Sequence, residues 1–132
     1  GLLIKNAKQK RQESMKLKTD FLPTEVRNEV DKLVERITTE FKDSLLKIIV
    51  FGSAARGQLH DESDIDILCL IKKRNLDLFT QITDIAYDIF LEGGKLLSIK
   101  ILEEDWFNYL IKLDEAFVKN VLSEGKILWE KG

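Results

Sequence analysis

The chain has 132 residues, 44% of them hydrophobic and 33% charged, and a formal net charge of −2. That length suits one domain with a real core, and the composition is that of an ordinary globular protein, not a disordered one. The charge shows no global basic excess of the kind that marks nucleic-acid binding, and no apolar run approaches the ~18 residues that a membrane span needs.

No signal-peptide pattern opens the sequence, so the expected location is the cytoplasm. Residues 1–20 differ from the rest: Lys5, Lys8, Lys10, Arg11, Lys16 and Lys18 face only Glu13 and Asp20, a local net charge of +4. The expectation is a basic arm or weak surface helix over residues 1–20, followed by a single domain over residues 21–132. A basic arm can touch nucleic acid or an acidic partner, but a solvated extension is the plainer reading.

Pro23 and Thr24 read as a helix start, with Glu25 favourable in the first turn. Val26, Val30, Leu33, Val34, Ile37 and Phe41 follow at helical spacing and give one apolar face. Ile48 to Phe51 is a short apolar run rich in β-branched residues, which predicts a buried strand. It stops at Gly52-Ser53. A glycine there lets backbone N–H groups approach a ligand, and successive exposed N–H groups favour an anion. Ser53 adds a hydroxyl, and Arg56 adds a fixed charge suited to phosphate.

After a polar loop come Ser63, Asp64, Ile65, Asp66 and a second apolar run to Ile71. In a strand the side chains of Asp64 and Asp66 project to the same side. Two carboxylates that close are unfavourable without a cation between them. Mg²⁺ suits the pair, since it takes one or two carboxylates together with substrate phosphates. A phosphate-binding turn beside paired acids describes a metal–nucleotide site. The single Cys69, opposite in phase to the acids, reads as a buried structural thiol. His60 lies in the loop and reads as a surface residue.

Phe51-Gly52-Ser53, ten residues, then Asp64-Ile65-Asp66-Ile67 resembles the signature of the DNA polymerase β-type nucleotidyltransferase superfamily. The fuller Gly52-Ser53-Ala54-Ala55-Arg56-Gly57 with Ser63-Asp64-Ile65-Asp66 is similar to its smallest members, the minimal nucleotidyltransferases. The resemblance implies an α/β core: a small mixed sheet of about four strands with helices mainly on one face. It implies Asp64 and Asp66 as catalytic metal ligands, and Gly52, Ser53, Arg56 and Ser63 as nucleotide-binding residues. It further implies transfer of an NMP, AMP being the expected one, from ATP to an acceptor hydroxyl with Mg²⁺, one or two ions, as cofactor. The expected partner is a helical protein of the HEPN type, which a minimal nucleotidyltransferase can adenylylate as its antitoxin.

A helical pattern from Leu76 to Phe90, closed by Gly93-Gly94, precedes a third strand over Leu96 to Leu102. Strand, helix, strand in that order suggests a crossover in a mixed sheet. Active members of the superfamily usually place a third carboxylate on such a strand. Here the phase that can face the site offers Ser98 and Lys100 and no acid. The alternative function is therefore a catalytically weakened nucleotide-binding or antitoxin-type interaction module. Catalysis would then need an acid from elsewhere, such as Glu92 or Glu103. Two short helices follow, over Glu103 to Lys112 and after a cap at Asp114, and then an edge strand at Lys126 to Trp129. Trp106 and Trp129 read as core or interface residues more than as base-stacking platforms. Exposed aromatics near the C-terminus suggest a homodimer or hetero-complex.

Overall fold

The computed structural model describes residues 19–60 and 63–132. The reading of a basic arm falls almost wholly on residues 1–18, outside the described residues. The elements run α1 (Thr24–Phe41), β1 (Leu45–Phe51), α2 (Gly52–Ala55), β2 (Ile65–Ile71), α3 (Leu76–Gly93), β3 (Leu97–Glu103), α4 (Glu104–Lys112), α5 (Ala116–Glu124) and β4 (Lys126–Glu130). The four strands form one sheet in the order β3-β2-β1-β4. β1 pairs antiparallel with β2 and β4, while β2 and β3 run parallel across the α3 crossover. The mixed α/β sheet expected of a nucleotidyltransferase core is what the chain forms.

The two 18-residue helices cover one face. Val30, Leu33 and Ile37 of α1 and Ile82, Ile85 and Ile89 of α3 pack on Ile48, Val50, Ile65, Ile67 and Cys69. The other face is only partly open. Phe107 of α4 with Val118 and Val121 of α5 packs on Ile49, Phe51, Leu68 and Leu70. This is why both strand phases of β2 beyond Asp66 are apolar: each phase meets a helix layer. The second cluster leaves the N-terminal end of β2 uncovered, and that is where the acids stand.

Boundaries differ from the sequence reading at several places, β1 beginning at Leu45 and β4 running to Glu130 among them. β3 is displaced by one residue, to Leu97–Glu103. The cap of α5 is Glu115, whose carboxylate accepts from the Phe117 N–H at 2.9 Å. Asp114 instead takes a left-handed φ of 60° and pairs with Lys119 at 2.8 Å. α3 begins as its sequence suggests, with the Asn75 side chain accepting from the Leu78 N–H at 3.1 Å. It ends against Glu29: a Cβ on Gly93 would come within 2.6 Å of Glu29 Oε1, so the glycine admits the buried carboxylate of α1. Among the described residues, no helix is long and apolar enough to cross a membrane.

Cys69 is fully buried on the helix face, and burial pushes its thiol up to about 12. A thiol without thiolate character is inert. Alkylation at pH 8 is expected to run roughly 10³-fold slower in the native protein than in denaturant, because only opening events expose the sulfur. Mass spectrometry of the alkylated protein over time reads this directly, and labelling at the unfolded rate would contradict the packing.

Candidate active site

The site begins where β1 ends. Phe51 pairs with Asp66 across the sheet, and the next residue, Gly52, turns the chain at φ 71°. A Cβ there would overlap Asp66 Oδ2 and lie 3.3 Å from its Cγ. Both the backbone conformation and the space therefore demand glycine. Gly52 opens the single helical turn α2, whose first N–H groups have no partner within the turn. The turn is held closed by Arg56 N–H to Gly52 O at 3.1 Å and Gln58 N–H to Ser53 O at 2.9 Å. Ser53, half-buried, supplies the hydroxyl beside it.

Asp64 lies just before β2 and is exposed; Asp66 is the second residue of β2 and is half-buried. Ile65 between them is buried on the opposite face, so the alternation puts both carboxylates together. Their proximity shows in the titration of Asp66. Burial raises its carboxyl from the ordinary value, and the charge of Asp64 raises it further. Lys100 and Arg56 pull it back down. Desolvation and the like charge of Asp64 thus outweigh the two nearby cations.

The donor set fits Mg²⁺ delivered with nucleotide phosphates. It offers hard oxygens and a cradle, formed by the missing Cβ of Gly52, directly against Asp66. Among the described residues no group of three or more His, Cys, Asp or Glu could form an all-protein cage. The remaining ligands would be phosphate oxygens and water, the usual arrangement for this ion.

The raised carboxyl has a stability consequence with a definite sign. The protonated form of Asp66 is favoured by folding, so its contribution is fully present below the unfolded value and is lost as pH rises through the folded one. Asp66→Asn removes that cost. In the metal-free protein the variant is expected to melt roughly 1–4 °C above wild type at pH 7. The gap should close as pH falls through the raised folded value to below the unfolded one, where the wild-type carboxyl is protonated in both states. Thermal melts at several pH values measure it, and a variant that melts lower at pH 7 would contradict the desolvated pair.

Arg56 lies within electrostatic reach of Asp66, but its guanidinium is already held. Nη1 contacts Glu124 Oε1 at 2.9 Å and Nε donates to Gln58 Oε1 at 3.0 Å. Glu124 ends α5, 68 residues away, and no local sequence pattern links the two. Ser63 serves the loop: its Oγ accepts from the His60 N–H at 3.2 Å and its own N–H donates to His60 O at 2.9 Å. His60 itself is exposed.

On the other side of the acids, Ser98 is in register with Asp66, and Lys100 with Leu68. The phase expected to face the site is the phase that does. Neither outlying acid reaches it. Glu103 pairs with Ile71, five residues along β3 from Ser98, which is roughly 17 Å at ~3.3 Å per residue. There it accepts from the Arg74 N–H at 3.2 Å. Glu92 is exposed at the end of α3, in the helix layer of the opposite face. Phe117, read from sequence only as helix core, is a wall of the site: its ring lies 6.0 Å from Phe51 and 5.4 Å from Lys100 Nζ.

The tryptophans stand elsewhere. Trp129 packs on the helix-side core. Trp106 lines a groove of about 530 Å³ with Ile71, Leu76, Phe79 and Glu103, at the far end of β2.

A four-stranded mixed sheet with a Gly-Ser turn against one of two paired carboxylates defines a nucleotidyltransferase-type protein. The chain belongs to the polymerase beta nucleotidyltransferase family, whose model matches residues 31–132. It is 33% identical over 100 residues to a protein of Methanocaldococcus jannaschii named "putative protein adenylyltransferase", covering 76% of this chain and 94% of the relative. A second protein of that organism with the same description is 28% identical over 107 residues, covering 79% of this chain and 71% of the relative. The fold is also similar to a crystal structure from Sulfolobus solfataricus described as a "putative nucleotidyltransferase". That match has a TM-score of 0.48 at 20% identity, over 83% of this chain and 89% of the other. A toxin–antitoxin crystal structure with AMP-PNP gives a TM-score of 0.48 at 23% identity, over 82% and 74% of the two chains.

Proposed function

We propose that this protein transfers AMP from ATP to an acceptor hydroxyl on a partner protein. The observation that carries the reading is the packing of Gly52 against Asp66, with Asp64 alongside, at the open end of β2. The protein adenylyltransferase names of the M. jannaschii relatives support AMP as the group and a protein as the acceptor. The sequence resemblance suggests a helical partner of the HEPN type. We assign the activity to one nucleotidyltransferase domain over residues 21–132.

Asp64 and Asp66 would hold Mg²⁺, which when bound supplies Lewis-acid stabilisation and a template for in-line displacement. The N–H groups and hydroxyl of Gly52 and Ser53 bind the β- and γ-phosphates. Arg56, steadied by Glu124, adds positive charge at that end. Ser63 fixes the loop that carries Asp64. The acceptor oxygen attacks the α-phosphorus from the β3 side, and pyrophosphate leaves toward the Gly-Ser turn. Fixing both reactants on one rigid sheet supplies the orientation that such a displacement needs.

A second reading follows from Ser98 standing opposite Asp66 where an acid is usual: a nucleotide-binding module that acts on its partner by contact. Calorimetry with ATP, with Mg²⁺ and without it, tests the shared part. Metal-dependent binding is expected, and its absence in folded protein would overturn both readings. Transfer of label from α-³²P-ATP to the partner then separates the enzyme from the module.

A further inference from the structure

Arg56 is held at both ends. Its backbone N–H donates to Gly52 O at 3.1 Å, which ties the residue to the Gly-Ser turn. Its guanidinium is gripped separately: Nε donates to Gln58 Oε1 at 3.0 Å and Nη1 to Glu124 Oε1 at 2.9 Å. Neither contact uses Nη2. The charge of the group acts on Asp66, so the head of the side chain stands within reach of the acids.

Glu124 is an unfavourable residue where it stands. It ends α5, no basic residue occupies the last turn of that helix, and a carboxylate there meets the negative end of the helix dipole. The helix does not need it for docking. Val118 and Val121 are its buried residues, and the Gly125 N–H closes its end on Val121 O at 2.9 Å. Both members of the Arg56–Glu124 pair stay partly exposed, and ion pairs of that kind add little to stability. An acid that opposes its own helix and adds little to the fold is the sort of local conflict that functional sites retain.

What the contact supplies is geometry. An arginine side chain is long, and a free one loses rotamer freedom when it meets phosphate. Held beforehand by two acceptors, the guanidinium loses less. Its plane is fixed, and the N–H groups of Nη2 remain to meet an anion bound at the Gly-Ser turn. We infer that Glu124 is a positioning residue that, with Gln58, orients Arg56 for the triphosphate of the nucleotide. The inference rests on the reading of the Gly-Ser turn as the phosphate site.

Glu124→Met and Glu124→Gln separate orientation from packing. Both keep the length of the side chain, and only glutamine keeps an oxygen that accepts from Nη1. Calorimetry with Mg²⁺ and ATP is expected to show binding weakened roughly five- to tenfold in Glu124→Met and held within about twofold of wild type in Glu124→Gln. Glu124→Met should melt within about 3 °C of wild type, because loss of the ion pair is offset by relief at the helix end. Arg56→Ala should weaken ATP binding at least as much. In that background Glu124→Met should change affinity by less than about twofold, since its effect passes through the arginine. If Glu124→Met binds ATP as wild type does, if Glu124→Gln loses as much as Glu124→Met, or if the loss persists without Arg56, the inference is overturned while the nucleotide site stands. Undiminished ATP binding by Arg56→Ala overturns it as well. If wild type binds no ATP, the underlying reading of the phosphate site falls, which is a distinct result.

Discussion

Asp64→Asn/Asp66→Asn is expected to abolish Mg²⁺-dependent ATP binding and to leave a folded protein. The two carboxylates share one face, and the charge of Asp64 raises the carboxyl of Asp66. Two amides relieve that repulsion but offer only neutral oxygens. Any transfer activity should fall by at least roughly 10²–10³-fold, as follows when several kcal/mol of charge stabilisation is lost at about tenfold per 1.4 kcal/mol. The double variant should also melt no lower than wild type, since neither side chain is replaced by a different shape. Calorimetry and thermal melting on the same samples separate loss of the site from loss of the fold. ATP binding that survives in the double variant would place the nucleotide elsewhere.

Gly52→Ala should be nearly as damaging, for a steric reason. The residue sits at φ 71°, and the added methyl would overlap the Asp66 carboxylate. Backbone strain at such a position costs of order 1–3 kcal/mol, and relief of the overlap must displace either the turn or the acid. A loss of several degrees in melting temperature and at least roughly tenfold in ATP affinity is expected. Gly57→Ala is the control. Gly57 also has φ 71°, but nothing lies within 4 Å of its added Cβ. It should lose stability through strain and keep most of its nucleotide affinity. Equal losses of affinity in the two variants would mean that the contact with Asp66 is not what matters at Gly52.

The two experiments probe different links of one chain of causes. The glycine sets where the backbone can pass, and that fixes how close the Gly-Ser turn comes to the acid. The acids set where positive charge is wanted. Arg56 and Lys100, on either flank, lower the Asp66 carboxyl without contacting it in an ion pair. The site is thus an acidic pair between two cations.

Much of this was legible in the residues taken one after another. The period of α1 and α3, the apolar runs of β1 and β2, and the Gly-Ser turn are local patterns, because helix and strand spacing is imposed by the backbone within a few residues. The alternation at Asp64 and Asp66 is equally local, and so is the choice of Ser98 and Lys100 as the phase of β3 that shares their face. What only the tertiary structure decided is what meets what across long separations. α4 and α5 cover the second face through Phe107, Val118 and Val121, although their sequences say only that they are amphipathic. Glu124 reaches Arg56, Phe117 becomes a wall under Lys100, and Glu103 is carried away from the acids by the register of β3. Sequence by itself determined the elements and the pair of carboxylates. The sheet order, set by packing between distant segments, decided that Ser98 and Lys100, and no acid of β3, stand beside Asp66 and Leu68.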